Sequence, residues 1–176
     1  GIAIDEVVAN PSLPCVEPTN SPTALTFPSI GTGSISGSFA AAAAGVTPPN
    51  SYLVVRYPAG SAVTNPVDSV AYISGNTLGL GTVVQSSAGT SFTASGLATT
   101  TSYDFYIYSL TNTSCSGPKY KLSPLSGSAT TLGCGSFGAT ITIDAVATPS
   151  FGTVYNKIGD ALNDLSGCPV TQPTVI

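Results

Sequence analysis

The residues of this chain that could do chemistry are four cysteines, eight carboxylates and a set of tyrosines; there is no histidine. Without histidine no Ser-His or Cys-His couple can form, which removes the commonest activated nucleophiles. Cys15, Cys115, Cys134 and Cys168 make no CxxC pair, so they point to two disulfides rather than a metal site. Nothing near them would lower a thiol pKa, which argues against a redox couple. Disulfides imply an oxidising, extracellular compartment. The acids Asp5, Glu6, Glu17, Asp68, Asp104, Asp144, Asp160 and Asp164 are scattered over strands, loops and a helix. Glycoside hydrolysis needs two carboxylates facing one sugar, and the scatter suits solvated surface and helix ends instead. No Gly-rich loop precedes a helix with Lys at phosphate-binding spacing. The expectation is a protein that is not an enzyme and needs no metal and no cofactor.

The background composition narrows the partners. Only 7% of the 176 residues are charged, and 42% are hydrophobic. With abundant Ser, Thr, Ala, Gly and Pro this is a β-rich, short-looped chain rather than a disordered one. A net charge of −4 with Arg56, Lys119, Lys121 and Lys157 as the cations leaves no basic surface for phosphates, which disfavours nucleic acid. No apolar run approaches the roughly 18 residues of a membrane helix, so no membrane insertion is expected. Gly1 in place of Met reads as a processed chain or a fragment.

The elements that must position these residues are strands. Tyr103, Phe105 and Ile107 alternate with Asp104, Tyr106 and Tyr108, the period of two of a half-buried strand. Thr90 to Ala94 is a shorter strand before it, and Gly96 and Leu97 start a Thr-rich corner that ends on Tyr103. Earlier strands are read at Ala24 to Phe27, Ser34 to Phe39 and Ser51 to Tyr57, with a Pro-marked loop after the run Ala40 to Ala44. SYLVVRY at 51–57 is almost continuously apolar, which suggests burial on one face and cover on the other. The outward face of the long strand makes Tyr106 and Tyr108 a possible binding surface, able to stack on sugars or anchor a protein. The competing reading is that the segment Pro58 to Ser87 covers them.

The corner resembles the E to F corner of a fibronectin type III domain, in which a tyrosine hydroxyl returns to upstream backbone and locks a Greek-key crossover. Thr99 and Thr100 stand where that family usually carries Pro-Gly, and Phe39 where it commonly has a core tryptophan. Leu53 to Arg56 with Leu78 to Val84 resemble an insertion-bearing subgroup in Bacteroidota secreted and cell-surface, adhesin-like proteins. With SPLSGSATT at Ser123 to Thr131, the resemblance covers roughly Ser21 to Thr131. The implied fold class is mainly β: a fibronectin type III-like Greek-key β-sandwich with a small C-terminal strand-helix appendix. In such a sandwich the chain enters strand A at the pole that holds the F to G loop. The resemblance therefore implies Cys15 with Cys115 and leaves Cys134 with Cys168, closing loops of about 100 and about 34 residues worth roughly 4 to 5 kcal/mol each.

Three segments follow. Residues 1–20 are an N-terminal strand, Gly1 to Ala9, and a Pro-rich linker; the strand resembles the last strand of jelly-roll modules in the same bacterial proteins. Residues 21–132 are the sandwich. Residues 133–176 are a disulfide-tied strand-helix-strand segment, with a strand at Ala139 to Ala145. Its helix is expected over Thr153 to Leu165, with Val154, Ile158, Ala161, Leu162 and Leu165 at helical spacing. That order resembles the opening of right-handed parallel β-helix domains. Asp68-Ser69-Val70 looks like a Bacteroidota O-glycosylation acceptor, making Ser69 a candidate, and Asn112-Thr113-Ser114 fits the N-glycosylation sequon. The function expected is a non-catalytic extracellular structural or adhesive module on a bacterial cell surface. Its partners would be neighbouring domains, identical subunits or surface glycans. The alternatives are a filament subunit assembling by donation of the N-terminal strand and a carbohydrate-binding accessory module of a secreted hydrolase.

Overall fold

Alternation of apolar with hydroxyl residues decides which stretches become strands and which face each one buries. The computed structural model describes residues 13–133 and the short strands at 142–143 and 154–155. Within 13–133 the strands are β1 (Thr23–Ile30), β2 (Ser34–Ala40), β3 (Ser51–Pro58), β4 (Thr77–Leu78), β5 (Gly81–Ser87), β6 (Ser91–Ser95), β7 (Ser102–Thr111), β8 (Lys119–Tyr120) and β9 (Leu125–Thr130). They form two antiparallel sheets, β1-β2-β6 and β4-β5-β3-β7-β8, with β9 also paired to β7. The fold is a mainly β, fibronectin type III-like sandwich.

The inner core lies between the sheets. Ile35, Phe39, Phe92 and Ala94 meet Tyr52, Val54, Tyr103, Phe105 and Ile107 there. The Phe105 ring packs at 5.4 Å from Phe27 and 5.3 Å from Phe92, and Phe39 meets Tyr52 edge-on at 5.1 Å. Phe39 thus fills its core position with a ring smaller than tryptophan, helped by Tyr52. The corner closes as the sequence suggests: the Tyr103 hydroxyl accepts a hydrogen bond from the Ala98 N–H at 3.0 Å. Thr100 takes the left-handed conformation, φ 50°, that non-glycine residues disfavour. The Thr131 hydroxyl donates to the Ala98 carbonyl and accepts from the Thr101 N–H, holding that strained turn from the far side.

A second core lies on the opposite face of the larger sheet. Leu53, Val55 and Tyr57 of β3, Tyr108 and Leu110 of β7, and Val83 of β5 are all buried there with Leu78 and Tyr120. β3 is therefore covered on both faces, which is why SYLVVRY does not alternate.

The structure corrects two expectations. The exposed tyrosine pair is absent: Tyr108 is 0% exposed, and Tyr106 is half-buried, edge-on to Tyr57 at 5.7 Å. The start of the expected helix is instead the strand β11 (Val154–Tyr155), paired in parallel with β10 (Thr142–Ile143). Valine and tyrosine favour extended backbone, and β pairing overrides a helical spacing that Gly159 already weakens. The remainder of that helix, the strand at Gly1 to Ala9, and Cys134 with Cys168 lie outside the described residues.

Candidate functional site

The segment between β3 and β5 decides what the outer face can do. It runs over the second core and is held by hydroxyls rising from the sheet. Tyr57 donates to the carbonyls of Thr64 (2.9 Å) or Leu78 (3.0 Å) and accepts from the Thr64 N–H. Tyr108 donates to the Asn65 side-chain oxygen at 3.2 Å, and Tyr120 to the Val70 carbonyl at 2.8 Å. Gly81 lies flat under the Tyr57 ring, which leaves no room for a Cβ. Burial pushes the Tyr57 and Tyr108 phenols up, and pushes Tyr120 up to about 12, so all three stay protonated donors at neutral pH.

A second set of ties clasps this segment to the turn between β7 and β8. Lys119 Nζ meets Asp68 at 2.5 Å, and the other Asp68 oxygen accepts from the Tyr120 N–H at 3.0 Å. The Lys119 hydrogen bond, aided by the Tyr120 N–H and opposed by burial, holds the Asp68 carboxyl below its ordinary value; the same pair raises Lys119. Ser69, exposed and left-handed at φ 66°, donates its N–H to the Pro118 carbonyl at 2.8 Å, and Gly117 lies against it. The β7–β8 turn is itself fixed by a Cys15–Cys115 disulfide, with Cα atoms 4.9 Å apart. Next to it the Ser116 N–H donates to the Leu13 carbonyl, and the Thr111 hydroxyl donates to that of Val16.

Between the two clasped segments is a cleft of 240 Å³ lined by Tyr72, Ile73, Leu110, Asn112, Pro118 and Tyr120 among others. Tyr72 and Tyr120 stand edge-to-face at 6.0 Å. A larger hollow of 310 Å³ lies on the other sheet, floored by Gly37 and Phe92 and walled by Ser36, Ser38, Ser91 and Thr93. Its lining is mostly serine and threonine, with Pro28, Gln85 and the single ring of Phe92, whereas the cleft brings two tyrosine rings together with Ile73, Leu110 and the Asn112 amide. The cleft is therefore the better candidate for a ligand.

No family model matches the chain, and no curated protein matches it. Among solved structures, an FN3 domain of human collagen XX is 20% identical, with a TM-score of 0.41, covering 68% of this chain and 99% of that one. The FN5 domain of Drosophila Lar is 15% identical, with a TM-score of 0.38, covering 64% and 96%. The fibronectin type-III domain of human fibronectin type III domain containing protein 3 is 16% identical, with a TM-score of 0.41, covering 67% and 89%. Likenesses this distant carry no argument; the fold rests on the strand order and registers above.

The other chemistry-bearing residues are dispersed. Glu17 meets Lys121 at 3.7 Å. Asp104 accepts from the Gly60 N–H and the Ser128 hydroxyl. The Arg56 guanidinium lies 5.5 Å over the Tyr103 ring, at the inner core. Asn112, of the sequon, is exposed and contributes to the cleft. The sequence reading missed Tyr72, Pro118 and Tyr120. The signal that could have found Tyr72 and Tyr120 is the presence of tyrosines in the segments on both sides of β7 in a chain with 8 tyrosines and no tryptophan.

Proposed function

We propose that this chain is a non-catalytic extracellular module of a bacterial surface protein, serving to space and present surfaces rather than to transform a substrate. One observation carries the reading: among the described residues, the additions to the minimal sandwich are cross-tied to it, by a disulfide, an ion pair and three tyrosine hydroxyls. Catalytic loops and lids are drawn from the weakly held parts of a protein, and these segments are strongly held. A disulfide at Cys15–Cys115 also suits an oxidising compartment. The test uses producing cells: a membrane-impermeant amine reagent should label the chain on intact cells, and Cys15 and Cys115 should not alkylate before reduction. A chain shielded from the reagent, with both thiols free, would overturn the proposal.

A second reading, filament growth by strand donation, is favoured by one feature: β6 is an edge of its sheet among the described residues. Its outer side can accept another strand. Deleting residues 1–9 should then abolish polymerisation while leaving a folded monomer, and unchanged assembly would refute it.

A further inference from the structure

We propose that the cleft between residues 70–73 and the β7–β8 turn is a subsite for one neutral sugar residue, a hexose or N-acetylhexosamine. This rests on the reading above, that the chain presents surfaces, and names what one of them would bind. The cleft's walls are set in advance: Asp68 to Lys119, the Ser69 N–H to Pro118 and Tyr120 to Val70 tie the two segments together, and the Cys15–Cys115 disulfide anchors the β7–β8 turn. A site already held in shape loses little entropy on binding, which matters most for a small, weakly held ligand.

The lining selects the ligand class. Tyr72 and Ile73 offer ring and aliphatic surface, Ile73 being 67% exposed, against which the C–H face of a pyranose can pack. The Asn112 carboxamide and the Ser86 hydroxyl bring donors and acceptors to the same hollow. No charged side chain is in the lining, and nearby Lys119 and Asp68 neutralise each other, so nothing there recruits a phosphate or a carboxylate. The volume of 240 Å³ lies just under the roughly 300 Å³ at which sites for larger ligands begin. That is space for one six-membered ring with its hydroxyls.

A peptide fits less well, because three of the main-chain donors along the walls are spent. That of Ile73 serves the Asn76 side chain, that of Asn112 serves Asn50 and that of Tyr120 serves Asp68. An extended strand added here would find those three partners taken.

The test is saturation-transfer NMR on the full chain with glucose, galactose, mannose and N-acetylglucosamine, with glucuronate as the charged comparator and a hexaproline peptide as the rival. At least one neutral sugar should receive transfer. Ile73→Asp, which puts a carboxylate on an exposed wall, and Asn112→Ala should each weaken binding by fivefold or more while the melting temperature holds. Transfer to none of the four sugars, undiminished binding in both variants, tighter binding of glucuronate, or binding of hexaproline alone would each overturn the proposal. Any of these outcomes would leave surface labelling and oxidised cysteines as they were, so the loss of this site would be distinguishable from failure of the extracellular reading.

Discussion

Tyr57 and Thr100 show how much single side chains decide here. The Tyr57 hydroxyl serves two carbonyls and one N–H of the covering segment. Tyr57→Phe leaves buried polar groups without that partner, and should cost about 1–3 kcal/mol in a denaturant melt. Thr100 is the opposite case, a residue in a conformation it disfavours. Left-handed backbone costs a non-glycine residue roughly 1–2 kcal/mol, and glycine returns about 0.5–1 of that as unfolded-chain entropy. Thr100→Gly should therefore stabilise the chain by about 0.5–1 kcal/mol, measured in the same way; a loss of stability would mean that the hydroxyl or methyl of Thr100 does more than the corner geometry indicates. The tyrosine corner itself was legible through the resemblance of Gly96 to Tyr103 to a fibronectin type III E to F corner. The partners of Tyr57, Tyr108 and Tyr120 were not legible, since each lies in the segment between β3 and β5, whose path no local pattern fixes.

At the scale of elements, the larger sheet behaves as a wall with two finished sides. Leu53→Ala on the outer face should cost about 2–5 kcal/mol, the range for an interior leucine and far above that for a solvent-facing one. The covering segment adds two pH signatures. Asp68 is held below its ordinary value, so its share of stability is complete above the usual aspartate pKa near 3.9 and is lost as pH falls from there through the lowered value. Hydrogen exchange at residues 67–73 should accelerate over that acid range, and Asp68→Asn should remove the dependence. Tyr57, Tyr108 and Tyr120 are raised, so their contribution is complete below the ordinary tyrosine value near 10 and is lost as pH climbs through the raised ones. Alkaline release of the segment should track phenolate absorbance. The positions of β1, β2, β3, β6 and β7 were readable, β7 from its alternation and the double burial of β3 from its apolar run, whereas β4, β5 and β8 were not. The expected helix over Thr153 to Leu165 is corrected only at Val154 and Tyr155, which prefer strand although Val154 shares its periodic spacing.

At the scale of the whole molecule, the described residues form one sandwich with two cores and carry a 240 Å³ cleft on the face covered by the segment between β3 and β5. Reducing Cys15–Cys115, which joins residues 100 apart, should cost about 2–5 kcal/mol and loosen the cleft wall first. The claim that the outer face is a closed core, and not a tyrosine platform, is tested most directly by nitrating the folded chain with tetranitromethane and mapping the products by mass spectrometry. The account predicts modification at the half-buried Tyr72 and Tyr106 and protection of Tyr57, Tyr108 and Tyr120. Nitration of Tyr108 at the rate of Tyr106 would contradict it.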